Sequence, residues 1–141
     1  MPNSPMSFGW VVTMNVLLDT HAFIWWAIDP DKLSSTARAA CEDTTNQLLL
    51  SIASVWEMQI KYQLEKLILP KPLAELVDHQ VRQNRLSLLS IEPSHIYALQ
   101  TLPPHHRDPF DRMIIAQATV AGLTIISADH VFRSYAAPLL W

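Results

Sequence analysis

Four short apolar runs alternate along the chain with segments of helical periodicity, and this alternation is the strongest constraint on its fold. The runs are MNVLLD, QLLLS, LSLLSIE and LTIISA. Strands separated by helices pair in parallel, because each helix carries the chain back to the end of the sheet where the next strand starts. We therefore predict an α/β fold, a three-layer α/β/α sandwich whose central, mainly parallel sheet has four to five strands.

The chain length predicts one domain, because 141 residues can bury one core but are few for two. The stretch 1–13, MPNSPMSFGWVVT, differs from the rest, and Met14 opens the first strand directly. We expect residues 14–141 to form the single domain. Residues 1–13 are then an N-terminal extension produced by a mispredicted start, and the alternative is a tail of the native protein.

Composition limits the compartment and the partners. Half of the residues are hydrophobic, which favours a surface covered by a partner, and the net charge of −3 provides no overall basic field for nucleic acid. The single cysteine, Cys41, excludes an internal disulfide and a cysteine-based zinc site. No apolar run reaches the length of about 18 residues needed for a membrane span. We expect a cytoplasmic protein without a membrane anchor.

Glycine is scarce, and its scarcity excludes two classes of nucleotide site. Gly9 and Gly122 are the only two glycines, so the chain has neither a Walker A loop nor a dinucleotide-binding glycine turn. Gly122 follows DPFDRMIIAQATVA, which reads as a helix with Asp108 as its N-cap. We expect Gly122 to end that helix in a left-handed conformation.

The other helix starts are predicted from capping residues. Thr20 is expected to cap the helix HAFIWWAI, and a serine at the start of SSTARAACEDTTN to cap the next. Ser54 and Glu57 are spaced as a capping box ahead of VWEMQIKYQLEKL. This interpretation places Glu57 in the first turn of its helix.

Four acidic residues lie where strands end or helices begin. Asp19 and Asp129 follow the first and last apolar runs, and Glu57 and Asp111 belong to predicted helix starts. The carboxyl ends of parallel strands meet at one edge of the sheet, so we expect these four side chains to converge there. Two carboxylates about 5 Å apart repel by roughly 3 kcal/mol at an effective dielectric constant near 20, and Mg²⁺ or Mn²⁺ would relieve that repulsion.

The same segments carry a resemblance to a known family. LLDTHAFIWW, SIASVWEMQIKYQLEKL, HRDPFDRMIIAQA and LTIISAD together resemble the PIN-domain family and, within it, the VapC-like ribonuclease toxins of bacterial toxin-antitoxin pairs. The motifs span Met14 to about Tyr135 in the family's order. The resemblance implies a PIN-like fold, an RNA substrate, a cognate antitoxin, and a homodimer or a toxin-antitoxin hetero-oligomer.

The resemblance also implies a set of site residues. The activity would be that of a metal-dependent endoribonuclease, with Mg²⁺ as the cofactor and Mn²⁺ as the alternative. Asp19 would be the central metal ligand, with Glu57 and Asp111 as further acids. Asp129 would match the most variable acid, which holds the metal through water.

Most of the proposed site residues have a structural alternative. Asp19, Glu57 and Asp129 could serve only as helix caps, and this is also the favoured role of Asp108. Two further side chains near the acids are substrate-contact candidates, His21 and Arg112. His21 is either a proton carrier or RNA contact, or a packing residue at a helix start. Arg112 is either a phosphate contact, an ion-pair partner that orients the acids, or part of an exposed surface pair.

Aromatic and histidine side chains offer further hypotheses. Trp25 and Trp26 are adjacent in a predicted helix and face directions about 100° apart, so both are not expected to be buried. Trp56 is expected in the core. Aromatic side chains left at the surface, with Tyr62 a further candidate, could stack bases of single-stranded RNA. The histidines of the PPHHR segment are assigned to a solvated loop.

Two other functions remain open from the sequence. One is a catalytically silent PIN-like scaffold that binds RNA or a protein partner and keeps its acids as caps. The other is a metal-dependent nuclease or phosphatase for another substrate, which would use the same socket. An aspartyl-phosphate phosphatase is disfavoured, because such enzymes need a second aspartate where this chain has His21.

Overall fold

A single five-stranded sheet organises the fold. The computed structural model describes residues 13–141, and the expectation of an N-terminal extension falls almost wholly on residues 1–12, outside that range. All neighbouring strands are parallel, and their order across the sheet is β3-β2-β1-β4-β5. The strands are β1 Asn15–Leu18, β2 Gln47–Ser51, β3 Ser87–Leu89, β4 Thr124–Ile126 and β5 Leu139–Leu140.

Six α-helices connect these strands. They are α1 Thr20–Ile28, α2 Ser35–Glu42, α3 Ile52–Gln63, α4 Leu73–Gln83, α5 Pro93–Ala98 and α6 Pro109–Ala121, and short 3₁₀ turns cover Pro30–Lys32, Leu99–Thr101 and His130–Ser134. Among these described helices, none is both long enough and apolar enough to cross a membrane. The predicted parallel α/β fold is confirmed, and β5 is a strand beyond the four apolar runs.

The sheet is buried on both faces, which makes the fold three-layered. Successive side chains of a strand point to opposite faces, and β1 shows this directly. Val16 and Leu18 pack into one cluster with Phe23 of α1. Leu17 packs into the other cluster with Ile114 of α6. The three buried positions of this central strand, residues 16–18, are accordingly all apolar.

Two predicted helix starts are wrong. The N-cap of α1 is Asp19 rather than Thr20, because the extended backbone of β1 continues to Asp19, whose carboxylate accepts a hydrogen bond from Ala22 N. Helix α3 begins at Ile52 with Ser51 as its N-cap, so Ser54 is already helical and the capping box is wrong. Glu57 therefore lies in the second turn of α3 rather than the first.

Three predicted caps are confirmed. Ser34 caps α2 by accepting a hydrogen bond from Ala37 N. Asp108 caps α6, and its Oδ1 accepts from the backbone N–H groups of Phe110 and Asp111. Gly122 ends α6 in the left-handed conformation with φ of +68°. This end of α6 brings the chain directly into β4.

We predict that Gly122→Ala lowers the free energy of unfolding by about 1 kcal/mol, because a side chain disfavours positive φ. A Cβ at this position would meet no heavy atom within 4 Å, so the loss reports backbone conformation alone. Chemical denaturation measures it. Gly122→Asn is the matched control and should lose less, because asparagine tolerates this conformation better than alanine. Equal losses in both variants would contradict the explanation.

Candidate carboxylate site

Asp19 is fixed between the central strand and the helix that follows. Its backbone N–H extends the sheet by donating to Ile126 O at 3.0 Å, and its Oδ1 accepts from Ala22 N at 2.7 Å. Only 5% of the residue is exposed. The carboxylate is therefore held at the carboxyl end of β1 by two neighbouring elements of the fold.

Burial makes the charge on Asp19 costly. It raises the pKa of this carboxyl from 3.8 to about 6. Hydrogen bonds from the Ser127 side chain and from Ala22 N, and the nearby His21, lower the pKa, while the negative charge of Asp111 raises it further. The carboxylate is ionised at neutral pH, and a nearby cation would stabilise that ionised form.

Glu57 lies on α3, which packs beside α1, and like Asp19 it is only 5% exposed. Its Oε1 accepts a hydrogen bond from Thr20 Oγ1 at 2.7 Å, and that hydroxyl lies 3.1 Å from Ser54 Oγ. Its Oε2 pairs with Lys61 Nζ at 2.8 Å. Both carboxylate oxygens are thus engaged, and the buried charge of Glu57 is compensated by the ammonium one helical turn away.

Asp111 lies in the first turn of α6 and is half-buried. Its Oδ2 is 2.7 Å from His106 Nε2. Burial raises the pKa of Asp111, the hydrogen bond from His106 opposes the increase, and the negative charges of Asp108 and Glu57 add to it. Asp111 therefore experiences the fields of three acids, since it also raises the pKa of Asp19.

Asp129 is the most exposed of the four predicted site acids. It caps the 3₁₀ turn His130–Ser134, with Oδ1 accepting from Val131 N at 3.0 Å. It lines one small cavity together with Asp19, His21 and Trp25. The structure thus brings Asp129 to the same opening as Asp19.

The four acids share one end of the sheet, but they do not yet form a closed ligand set. Within residues 13–141, no three His, Cys, Asp or Glu side chains are arranged so that they could hold a metal ion. The donor chemistry nevertheless fits, because carboxylate oxygens are the ligands that Mg²⁺ and Mn²⁺ prefer. Burial chiefly raises the pKa values of Asp19 and Asp111, with a smaller contribution from neighbouring acids, and a divalent cation would stabilise the ionised form of both carboxylates.

The two substrate-contact candidates have different surroundings. His21 lines the cavity beside Asp19, and its ring centroid lies 5.8 Å from that of Trp25. Arg112 forms no ion pair with the acids in the described part of the chain. Its guanidinium instead donates hydrogen bonds to three backbone carbonyls of the preceding segment, those of Leu99, Pro103 and His106.

The side chains that contact two of the acids were not predicted in that role. His106 was assigned to a solvated loop, but its side chain is three-quarters buried against Asp111. The signal for it was weak, because only a folded loop brings a residue five positions earlier back onto α6. The pair of Lys61 with Glu57 could have been predicted, since a glutamate and a lysine four residues apart on a helix commonly form an ion pair.

The aromatic side chains are placed differently from the prediction. Trp56 is 61% exposed, so its assignment to the core is wrong. Its ring packs edge-to-face on Phe110 at a centroid distance of 5.3 Å. Trp26 is buried and Trp25 is partly exposed against Trp141, which confirms that adjacent tryptophans are not both buried.

Comparison with known proteins places the fold and the acids in a family context. The sequence matches the PIN domain over residues 16–138. The chain belongs to the PIN domain family. It is similar to Ribonuclease VapC22 of Mycobacterium tuberculosis, with 30% identity over 128 residues, 87% of this chain and 93% of the relative. The resemblance to VapC-like proteins read from the motifs is confirmed.

Solved structures show the same fold at low sequence identity. VapBC2 from Rickettsia felis, bound to a DNA fragment from its promoter, aligns with a TM-score of 0.66 and 13% identity, covering 89% of this chain and 96% of that chain. DNA-bound VapBC from Salmonella typhimurium aligns with a TM-score of 0.66 and 17% identity, covering 90% and 97%. These similarities confirm the PIN-like architecture.

We predict that Asp19→Asn stabilises the metal-free protein increasingly as the pH rises. Because the pKa of Asp19 is about 6 when folded and 3.8 ordinarily, the folded state binds the proton more tightly, and the stability that this provides is lost as the pH rises through 6. The gain of the variant over the wild type should therefore grow to about 2 to 3 kcal/mol at neutral pH. Urea denaturation in the presence of a chelator, repeated from about pH 4 to pH 7, measures the difference in free energy of unfolding between the variant and the wild type.

Asp31→Asn is the matched control, because the Asp31 side chain is 89% exposed. Its stability relative to the wild type should not show the same trend with pH. A gain of Asp19→Asn that is constant or falls with rising pH would contradict a raised pKa for Asp19.

Proposed function

We propose that this protein is a divalent-metal-dependent endoribonuclease, the toxin component of a toxin-antitoxin pair. One observation carries the proposal: a PIN domain presents the buried Asp19 at the carboxyl end of its central strand, within the field of Asp111. The name of the relative Ribonuclease VapC22 supports RNA as the substrate. The reaction would be hydrolysis of RNA phosphodiester bonds, with Mg²⁺ as the cofactor and Mn²⁺ as the alternative.

The acids would have unequal roles in this reaction. Asp19 would be the central ligand, because its carboxylate is fixed by β1 and α1 and its burial raises its pKa to about 6. Asp111 and Glu57 would complete the ligand set, and Asp129 would bind through water from its exposed position. A bound divalent cation would supply an activated water and stabilise charge on the phosphate oxygens.

The residues around the acids would orient them. His106 holds one oxygen of Asp111, and Arg112 holds the carbonyl of His106, so the segment before α6 is tied to the site at both points. Arg112 would therefore position His106 rather than bind a phosphate. His21 faces the cavity beside Asp19 and remains the candidate RNA contact.

A cognate antitoxin and a second copy of the chain are the proposed protein partners. Large apolar side chains at the surface support a covered interface; they include Ile52, Trp56, Leu88 and Val120. The VapBC structures support the antitoxin as a partner class, in a homodimer or a toxin-antitoxin hetero-oligomer. The protein would act in the cytoplasm, where the buried Cys41 thiol stays reduced.

A catalytically silent scaffold is the second candidate, and one observation favours it. Every proposed acid already has a structural partner, since Asp19 and Asp129 cap helices, Glu57 pairs with Lys61, and Asp111 contacts His106. A PIN domain that only binds RNA or a protein could retain its acids for these contacts. Cleavage and binding assays on the same protein separate the two candidates.

We predict that the purified protein cleaves RNA with Mg²⁺ or Mn²⁺ and that Asp19→Asn reduces the rate by at least about a hundredfold. The amide keeps the helix cap but removes the charge that would hold the cation. Gel analysis of total RNA and of a labelled oligonucleotide measures cleavage. Asp31→Asn should cleave as the wild type does, and a chelator should abolish cleavage by both.

Equal cleavage by Asp19→Asn and the wild type would exclude the proposed site. Circular dichroism must show that both proteins are folded. If the folded wild type binds RNA but cleaves none with either metal, the silent scaffold is the better description.

A further inference from the structure

The positively charged side chain of Lys61 faces the acids of the site. Its Nζ pairs with Glu57 Oε2 at 2.8 Å, although the lysine side chain is 42% exposed. The hydrogen bond to Glu57 raises the pKa of Lys61, burial opposes the increase, and the charges of Glu57, Asp108 and Asp111 add to it. The ammonium therefore lies within the combined field of three carboxylates, where it offsets part of their negative charge.

The same lysine borders a second cavity beside the site. Besides the apolar Ile24, Met58 and Leu67, the cavity is lined by an aromatic pair, His21 and Trp25, by the hydroxyl-bearing Thr20, and by two lysines, Lys61 and Lys66. Cationic and aromatic side chains together suit single-stranded nucleic acid, whose phosphates and bases they bind respectively. His21 and Trp25 also border the cavity of Asp19 and Asp129, so the two cavities are neighbours.

We propose that Lys61 exchanges partners: it neutralises Glu57 when no divalent cation is bound, and it contacts an RNA phosphate once a cation holds Glu57. Glu57 accepts one hydrogen bond on each oxygen, from Thr20 on Oε1 and from Lys61 on Oε2, so a divalent cation that binds this carboxylate comes close to the Lys61 ammonium and repels it. The contact with Lys61 is the one to yield, because the lysine is long and half-exposed whereas Thr20 is buried.

Lys61 has opposite effects on the binding of the two ligands, the divalent cation and RNA. Lys61 competes with a divalent cation for the same carboxylate, so it weakens metal binding by like-charge repulsion and by occupying Glu57 Oε2. The freed ammonium is on the rim of the cavity lined by Trp25 and Lys66, where an RNA phosphate would gain a charged contact. Lys61 is therefore a positioning residue for Glu57 and a binding residue for RNA.

The experiment compares the wild type with Lys61→Met, Lys61→Arg and Lys71→Met. Calorimetry at mildly alkaline pH measures Mn²⁺ affinity in the absence of RNA. Fluorescence anisotropy measures binding of a short labelled oligouridine with Ca²⁺ present, at several salt concentrations, with gels to verify that the oligonucleotide stays intact. Lys71 is the control lysine, because it is exposed and lies near Glu75 and Asp78 on a different surface.

Removing the positive charge of Lys61 should strengthen Mn²⁺ binding and weaken RNA binding. Lys61→Met should bind Mn²⁺ on the order of tenfold more tightly than the wild type. It should bind the oligonucleotide more weakly, with the slope of log affinity against log salt smaller by about 0.7, the loss expected for one phosphate contact on a single strand. Lys61→Arg should keep the wild-type salt slope, and Lys71→Met should match the wild type in both assays.

The inference rests on the proposed function, and its failure can be told apart from that of the function. If the wild type binds Mn²⁺ but Lys61→Met binds it equally or less tightly, or keeps the full salt slope, the exchange is wrong and the nuclease proposal stands. If neither the folded wild type nor Lys61→Met binds Mn²⁺, both proposals fail. Circular dichroism and the urea midpoint verify that each variant is folded.

Discussion

The burial of one charged group, the Asp19 carboxylate, determines how the rest of the site is arranged. A carboxylate at the end of a central parallel strand is desolvated because strands and helices surround it, and this burial is the main cause that raises its pKa to about 6. Three compensations surround it, namely the N–H of Ala22, the side chain of Ser127 and the imidazole of His21. They lower the pKa but leave it well above 3.8, so the fold retains a site that favours added positive charge.

The sheet could be predicted from the sequence because its signal is repeated in every strand. Burial on both faces requires an uninterrupted apolar run, as in β1, and helices between such runs impose parallel pairing. The first residues of α1 and α3 were harder to predict. Ser51 and Ser54 are both reasonable caps, and in the structure β2 ends at Ser51, which caps the helix that begins at Ile52. A shift of three residues moved Glu57 from the first turn to the second.

The predicted acids are found at one end of the sheet, but their partners depend on tertiary contacts that sequence spacing does not encode. His106 reaches Asp111 only because the segment before α6 folds back, and Arg112 holds that segment by its carbonyls. Trp56 shows the same limit in reverse. Its apolar neighbours predicted burial, yet the face of α3 that carries Trp56 points to solvent, and Phe110 covers only one part of its ring.

Capping and metal binding are compatible uses of the same carboxylate, because a carboxylate has two oxygens. Within the described residues, Asp111 uses Oδ2 for His106 and Asp129 uses Oδ1 for Val131, which leaves the other oxygen of each for a cation. A cap that also fixes the direction of the remaining oxygen makes a better ligand, since less motion is lost on binding. Glu57 is different, because Thr20 and Lys61 engage both of its oxygens. If Lys61 exchanges partners as proposed, the affinity of the site for a divalent cation depends on how easily Lys61 is displaced from Glu57.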